Sequence, residues 1–456
     1  MLFSRRKLFK IMIPLLAQQI LAVTIGMADS MMVSSAGEAA VSGVSLVNSL
    51  DLLLIYAFSS LSAGGAVVIS QALGKKDREL SQACAKQLVF VVTGVALALS
   101  IVVMIFRYPL LDLLFGDVEA DVMQNAQGYF FYMLISFPFL GLYYAGAAIY
   151  QAMGNTVVSM TSSVLMNLIN VGGNALFIFG FGMGAVGAAI ATLISRVIGS
   201  VIMCVLIHNK HNELYVEKLY HYKPDIPINK NIMHIGIPNG VENSMFQFGK
   251  LLTQSLISSL GTAVIAANAV AHTMATFQYM PGAIGTAMVT VVGRCVGAEE
   301  KEQAKKYAKK LTGYAYVTLW IIVGLTILLS DVVIGIYNLS GESSILAKQF
   351  ILYHALFASV IWPIGFVLPS AFRAASDVRF TLYVSAFSMW LFRVAFGYVF
   401  TLESISIFGL TFPGLGLGAM GVWVAMSVDW VFRTALFAWR FLSGKWLTKY
   451  KPIKKE

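Results

Sequence analysis

Residues 10–33 read KIMIPLLAQQILAVTIGMADSMMV, an apolar run with a proline near its start, Pro14, and one carboxylate near its end, Asp29. A helix crosses the hydrocarbon core of a bilayer with about 20 mostly apolar residues, so this run predicts a membrane-spanning helix. An ionisable side chain inside such a helix is rare and usually functional, because burying its charge in hydrocarbon is unfavourable. The run therefore predicts both the class of protein and a first candidate site residue.

Eleven further runs of the same kind follow along the 456 residues. Hydrophobic residues make up 58% of the chain and charged residues only 12%, whereas a soluble domain has about 25% charged residues. We therefore predict an all-α membrane protein with twelve transmembrane helices. The predicted spans are residues 10–33, 44–72, 89–107, 126–150, 159–180, 185–208, 232–259, 264–294, 310–338, 345–371, 380–402 and 414–442.

The first run has a counterpart in the second half of the chain. Ile13-Pro14 opens the first span, and Ile237-Pro238 opens the seventh span 224 residues later. Four further blocks recur: residues 37–41 with 261–265, 70–74 with 293–297, 151–155 with 373–377, and 183–187 with 417–421. The offset between matching residues is 222 to 224 for the earlier blocks and 234 for the last one. This jump predicts a 12-residue insertion around residues 403–413.

Because each half holds an even number of spans, the repeat predicts two six-helix lobes with the same orientation in the membrane. The predicted N-terminal lobe is residues 1–208, the cytoplasmic linker is 209–231, and the C-terminal lobe is 232–456. Repeated halves of this kind are typical of transporters that bind a substrate between them and alternate its access.

Lysine and arginine cluster in the loops that twelve spans place on one side of the membrane. Examples are Arg5, Lys7, Lys75, Lys76, Lys210, Lys301, Lys305 and Lys449. The opposite loops carry mainly acids, such as Asp117 and Glu403. The positive-inside rule then predicts a multi-pass protein of the bacterial inner membrane with both termini in the cytoplasm. The net charge of +10 reflects this topology, so we expect no nucleic-acid partner.

Several function classes lack the motifs that they need. No phosphate-binding loop, dinucleotide fingerprint, zinc motif or nucleophile elbow occurs, so we expect neither an enzyme nor an ATP-driven pump. Cys84, Cys204 and Cys295 lie far apart without metal-ligand spacing, so we expect no metal site. The energy for transport then comes from an ion gradient, with H+ or Na+ as the coupling ion and no other cofactor.

Polar residues in the first half mark a candidate site. Asp29 lies well inside the first span, where a carboxyl group can bind and release a proton, although a position near the outer interface is the alternative. Asp51 in the second span either lines a cavity or makes only structural hydrogen bonds. Asn167, Asn170 and Asn174 share one face of the fifth span, which predicts a cavity lining or hydrogen bonds between helices.

The seventh span carries candidates for substrate handling or gating. Glu242 and Lys250 are eight residues apart and share a helix face, but about 12 Å of helix axis separates them. We therefore expect each to have a partner on another helix, either in a substrate or gating role or in a static ion pair. Gln247 lies between them.

Four segments together resemble the multidrug and toxic compound extrusion (MATE) family of antiporters, of the prokaryotic type. They are residues 27–33 (MADSMMV), 71–76 (QALGKK), 184–192 (GAVGAAIAT) and 373–377 (RAASD). The resemblance extends over essentially the whole chain. It implies twelve helices in two lobes that form a V, and export by alternating access driven by H+ or Na+.

The resemblance also implies an ion-coupling cluster in the N-terminal lobe. Family members combine a first-span Asp, a fifth-span Asn with an acid four residues later, and a sixth-span Thr. Asp29, Asn170 and Thr192 match this pattern, while Asn174 stands where the family has its second acid. Asp29 then acts alone, or Asp51 supplies the second carboxylate.

The C-terminal lobe departs from the sodium-binding version of the family. Members of that version have a seventh-span Glu nine residues after the proline, where this sequence has Gln247. Glu242 lies more than one turn earlier in the span. The resemblance therefore favours H+ over Na+ as the coupling ion.

We accordingly predict an ion-coupled antiporter, active as a monomer among membrane lipids, that exports amphipathic, cationic drugs or toxic metabolites. One alternative is a lipid-linked saccharide flippase of the same superfamily. Such flippases often have a cationic central cavity, and Lys250 as the only clear candidate cation disfavours this alternative. A further alternative is a membrane receptor or enzyme without transport activity, but no catalytic constellation supports it.

Overall fold

The structure is a computed structural model that describes residues 2–217, 223–337, 339, 341–407 and 410–452. Within these residues, twelve long helices follow one another along the chain. Their bounds are α1 Arg5–Ser34, α2 Glu38–Gly74, α3 Arg78–Ile105, α4 Ala120–Met153, α5 Thr156–Gly180, α6 Gly184–Ile207, α7 Ile226–Ser258, α8 Thr262–Gly297, α9 Lys301–Ile336, α10 Gly341–Ala374, α11 Val378–Thr401 and α12 Ala419–Leu442.

Each predicted span coincides with one of these helices, which confirms the all-α class and the twelve helices. Eleven of the described helices are both long and apolar enough to cross a membrane. The remaining one, α7, has 33 residues and is more polar, since it carries Glu242 and Lys250. Several helices begin before the predicted span, as α3 does, because a polar first turn is stabilised by a cap. The Asp77 carboxylate accepts a hydrogen bond from the Leu80 amide at 3.0 Å.

A short helix and two strands were not predicted. The third predicted span ended at residue 107, but α3 ends at Ile105 and a separate short helix, Arg107–Phe115, follows it. The predicted insertion around residues 403–413 contains two antiparallel strands, β1 Ser404–Ile407 and β2 Leu410–Pro413, with Ser404 opposite Pro413. The insertion therefore pairs its own backbone groups instead of remaining an open loop.

The two halves repeat in backbone conformation as well as in sequence. Positive φ angles recur at equivalent positions: Gly37 (101°) and Gly261 (103°), Lys76 (60°) and Glu299 (61°), Gly154 (78°) and Ser376 (64°), and Gly184 (55°) and Gly418 (56°). A positive φ is uncommon for residues other than glycine, so Ser376 adopts this conformation because the turn at this point in the repeat requires it.

The chain divides into two compact units. The first extends to Gly240 and includes Gly293–Glu299, while the second comprises Val241–Val292 and Glu300–Lys451. The predicted lobe and linker boundaries stay predictions. Residues 218–222 of the predicted linker, Met1 and residues 453–456 lie outside the described residues.

Burial differs among the helices in a way that fits a membrane protein. In their most apolar stretches, α4 is 67% buried and α8 is 78% buried, whereas α1 and α5 are each 22% buried. Both helices expose large apolar side chains, such as Ile13 and Met31 of α1 and Leu168 and Leu176 of α5, so they present hydrophobic surface outward. Such a surface suits contact with lipid.

Candidate ion-coupling site

A cavity of about 360 Å³ lies within the first unit, among α1, α2, α4, α5 and α6. Its polar lining includes Asp29, Asn48, Asp51, Tyr129, Asn167, Asn170, Asn174, Thr192, Ser195 and Arg196. The structure thus brings together in one cavity all six site residues that were predicted for the first half.

Asp29 is held by two asparagine side chains from α5. The Asn174 amide nitrogen donates to Asp29 Oδ1 at 2.6 Å. The Asn170 amide nitrogen faces Asp29 Oδ1 and Oδ2 at 3.1 and 2.9 Å, and its oxygen accepts from the Thr192 hydroxyl at 3.0 Å. This orientation of Asn170 suits an ionised Asp29, because the opposite one would place its carbonyl oxygen against the carboxylate.

The shape of α5 brings these amides to the carboxylate. Asn170 and Asn174 are one turn apart on α5 and both are buried, and Asn167 lines the cavity one turn earlier. A π-helical segment begins directly after Asn174, at Ala175, and such segments are frequent at functional sites. A side chain at Gly173 would not fit between α5 and α6, because a Cβ there would lie 2.9 Å from the Ala191 Cβ.

Asp51 forms a buried ion pair with a residue of α6. The Arg196 guanidinium donates to Asp51 Oδ2 at 3.1 Å and to the Ser136 hydroxyl at 2.7 Å. The exposed fractions of the Arg196 and Asp51 side chains are only 9% and 7%. Asp51 therefore shares the cavity with Asp29 but has its own positive partner.

Sequence reasoning missed Arg196, Tyr129 and Asn48. Arg196 is a charged residue well inside the sixth predicted span, one turn after Thr192, and this position is the signal that could have identified it. The Tyr129 hydroxyl donates to Asn48 Oδ1 at 3.3 Å. Nothing in the local sequence distinguishes these two residues from other polar residues of the spans.

Glu242 has partners on two other helices of the second unit. Its Oε1 accepts from Arg373 Nη2 at 3.0 Å and from the Ser385 hydroxyl at 2.8 Å. Glu242 thus has an ion-pair partner on another helix, as expected, and a role in substrate handling or gating stays a prediction. Gln247 is half-buried on α7 and takes no part in the bonds that join Glu242 to Arg373 and Ser385.

Lys250 lies apart from Glu242, with its Nζ 5.6 Å from the centre of the Phe246 ring. Within the described part of the chain, no carboxylate lies within 4.0 Å of the Lys250 amine. Nor does any group of three His, Cys, Asp or Glu side chains among those residues have the geometry to hold a metal ion.

Known proteins resemble this chain in both of its halves and along nearly its whole length. The family model for MatE matches residues 14–176 and 238–399, once in each half, and the two matches begin at Pro14 and Pro238. The uncharacterized transporter YisQ of Bacillus subtilis is 26% identical over 97% of this chain and 95% of its own length. The probable multidrug resistance protein NorM of Thermotoga maritima is 27% identical over 97% and 93%.

Solved structures share the fold at lower sequence identity. An outward-facing multidrug resistance MATE family transporter of the MOP superfamily is similar with a TM-score of 0.85 and 21% identity, over 97% of this chain and 96% of that one. A MOP superfamily transporter from Pyrococcus furiosus has the same TM-score, identity and coverage. With a family model that matches both halves and relatives that align along nearly the whole length, the chain belongs to the MatE (multidrug and toxic compound extrusion) family of multi-pass membrane transporters.

Proposed function

We propose that this protein is a proton-coupled antiporter that exports amphipathic, positively charged compounds across the bacterial inner membrane. The observation that carries the proposal is Asp29, a carboxylate inside a membrane-spanning helix that lines a cavity and is bound by Asn170 and Asn174. In this proposal the protein acts as a monomer without catalysis, and both termini are cytoplasmic.

The partners of Asp29 support a proton as the coupling ion. Both asparagines direct amide nitrogens, which are donors, at the carboxylate. A sodium ion needs oxygen ligands, so it would require these amides to be turned round. A proton needs only one acceptor for the new O–H group. Asn174 Oδ1 is buried without a partner among the described residues, so a rotation of this amide would supply that acceptor.

Charge balance in the cavity supports a cationic substrate. Arg196 compensates Asp51, so Asp29 is the carboxylate among the lining residues that has no cationic partner. A proton and a cationic substrate would both neutralise Asp29, so the binding of one disfavours the binding of the other. Mutual exclusion of this kind is the basis of antiport. The description of the Thermotoga relative as a probable multidrug resistance protein supports the substrate class.

The test is transport by purified protein in liposomes under one imposed ion gradient at a time. We expect uptake or release of ethidium to follow an H+ gradient, and to stop when a protonophore dissipates that gradient. Ethidium movement with a Na+ gradient alone would contradict proton coupling. Movement of a lipid-linked saccharide that ionophores do not affect, with no ethidium movement, would identify a flippase instead.

A further inference from the structure

The second unit carries charge at positions that the repeat makes equivalent to the cavity of the first unit. The offsets of 224 and 234 relate Gly26 to Lys250, Thr192 to Met426, and Ser195 to Asp429. All three residues of the first unit line its cavity. The equivalent place in the second unit therefore lies where α7, α11 and α12 meet, and its chemistry is different.

Three cations surround one aromatic ring at this place. The Phe246 ring centre lies 5.6 Å from Lys250 Nζ, 5.2 Å from Arg393 Cζ and 5.6 Å from Arg433 Cζ. Phe246 and Lys250 are one turn apart on α7, Arg393 lies in a π-helical segment of α11, and Arg433 is on α12. The three helices thus direct positive charge to the same region.

Negative charge at this place is insufficient to balance the cations. Asp429 accepts a bond from Arg433 Nε at 2.8 Å and another from the Ser388 hydroxyl. Arg393 Nη1 lies 3.9 Å from the same carboxylate. Lys250 has no carboxylate within 4.0 Å among the described residues, and Glu242 is engaged by Arg373. Asp429 therefore contacts two of the three cations, Arg433 and Arg393, and its Oδ2 accepts no hydrogen bond among the described residues.

Arg393 is deeply buried but has few hydrogen-bond partners. Its side chain is 91% buried, since only 9% is exposed. Nη2 donates to the sulfur of Met426 at 3.3 Å, a weak acceptor, and Nε has no partner among the described residues. A buried guanidinium with unused donors is unfavourable unless an anion completes its hydrogen bonds.

Aromatic side chains extend from this charged region. The Phe246 and Phe366 rings meet edge to face with centres 6.3 Å apart. Trp362 stacks on Phe366 at 5.4 Å and on Tyr279 at 5.8 Å. Phe246 and Phe366 are only partly buried, so their rings suit contact with a flat aromatic ring attached to the anionic group.

We propose that Lys250 and Arg393 bind the carboxylate of an aromatic substrate in the C-terminal lobe, with its ring against Phe246 and Phe366. This proposal rests on the proposed transport function and adds aromatic carboxylates to the cationic compounds that the protein exports.

The test compares binding of 2-naphthoate and 2-naphthamide, which share a ring system but differ in charge. Isothermal titration calorimetry uses the full chain in phosphatidylcholine nanodiscs. We expect naphthoate to bind at least tenfold more tightly than naphthamide. Lys250→Gln should lower naphthoate affinity at least tenfold, and Lys250→Arg should restore most of it. Lys310→Gln is the matched control, because the Lys310 amine lies 5.8 Å from the Tyr314 ring, a contact of the same kind in the same unit.

Three results would overturn the anion site: equal affinity for naphthoate and naphthamide, unchanged affinity in Lys250→Gln, or loss of naphthoate binding when phosphatidylglycerol is added. The last result would assign the cations to a lipid headgroup. Asp29→Asn separates this proposal from the proposed function, since it should abolish proton-driven ethidium transport but leave naphthoate binding unchanged.

Discussion

Asp51 and Arg196 form a buried ion pair in the N-terminal cavity. Removing one member leaves the other charged and buried, which costs about 3–5 kcal/mol in typical proteins. We therefore expect Arg196→Gln to lower the melting temperature of the detergent-solubilised protein clearly, as measured by thermal unfolding. The double variant Asp51→Asn with Arg196→Gln should recover much of the loss, because neither charge remains. Additive losses in the double variant would contradict this assignment.

Single residues differ in how far the sequence predicts them. Asp29 is evident because a charge inside an apolar run is unfavourable without a function. The asparagine stripe of α5 follows from its spacing of three and four residues. The partner of Asp51 cannot be predicted from the sequence, because the two residues are 145 positions apart. Their proximity depends on how α2 packs against α6.

At the scale of helices, α2 and α8 cross with almost no space between their backbones. A Cβ at Gly74 would overlap the backbone oxygen of Arg294, and a Cβ at Gly297 would overlap that of Gln71. Backbone atoms cannot move aside as the end of a flexible side chain can. We expect Gly297→Ala to destabilise the protein by about 1–3 kcal/mol, measured as a lower melting temperature.

Gly94→Ala in α3 is the matched control for this substitution. No atom lies within 4 Å of a Cβ at Gly94, so we expect an unchanged or slightly higher melting temperature. Equal melting temperatures for Gly297→Ala and Gly94→Ala would contradict the close crossing of α2 and α8.

The C-terminal end of α4 is capped by a side chain from α8. Arg294 Nη2 donates to the carbonyl oxygens of Ala152 at 3.2 Å and of Met153 at 2.8 Å, and it also pairs with Glu213 at 2.9 Å. Because 53% of the Glu213 side chain is exposed, we expect Glu213→Gln to cost less than about 1 kcal/mol.

Arg294→Gln should cost more, about 1.5–3 kcal/mol, because it also removes charged hydrogen bonds to the end of a helix. Thermal unfolding of the two variants in the same detergent provides the comparison. Equal losses would show that the exposed ion pair, and not the helix cap, accounts for the effect of Arg294.

The long helices could be predicted because the bilayer requires about 20 apolar residues for each of them. The short helix Arg107–Phe115 and the strands β1 and β2 could not, since they are too short for a hydropathy pattern and depend on local pairing of backbone groups. The Gly-rich turns at residues 180–184 and 414–418 were predicted because glycine tolerates the positive φ that such turns require.

At the scale of the whole molecule, the repeat predicts the architecture better than the chemistry. Equivalent backbone positions share their φ angles, and the family model matches each half. The polar side chains do not repeat, since Asp29 is equivalent to Thr253 and Gly26 to Lys250. The backbone fold depends on turns and packing that both halves need. The charged side chains can differ between the two halves without changing the fold.

The charge distribution in the loops leads to a prediction about topology. In a variant whose native cysteines are replaced, a cysteine at exposed Glu119 should react with a membrane-impermeant maleimide in intact cells. A cysteine at exposed Lys449 should react only after permeabilisation, because positive loops remain in the cytoplasm. Labelling of position 449 in intact cells would contradict the predicted orientation.

The most direct test of the whole account is proton-driven ethidium transport by Asp29→Asn in liposomes. Asp331→Asn is the control, since that carboxylate is exposed and pairs with Lys348 at 2.7 Å. We predict that Asp29→Asn has the same melting temperature as the unmodified protein to within a few degrees and loses transport driven by an H+ gradient, while Asp331→Asn retains it. Undiminished transport by folded Asp29→Asn would contradict the claim that Asp29 couples the proton to export.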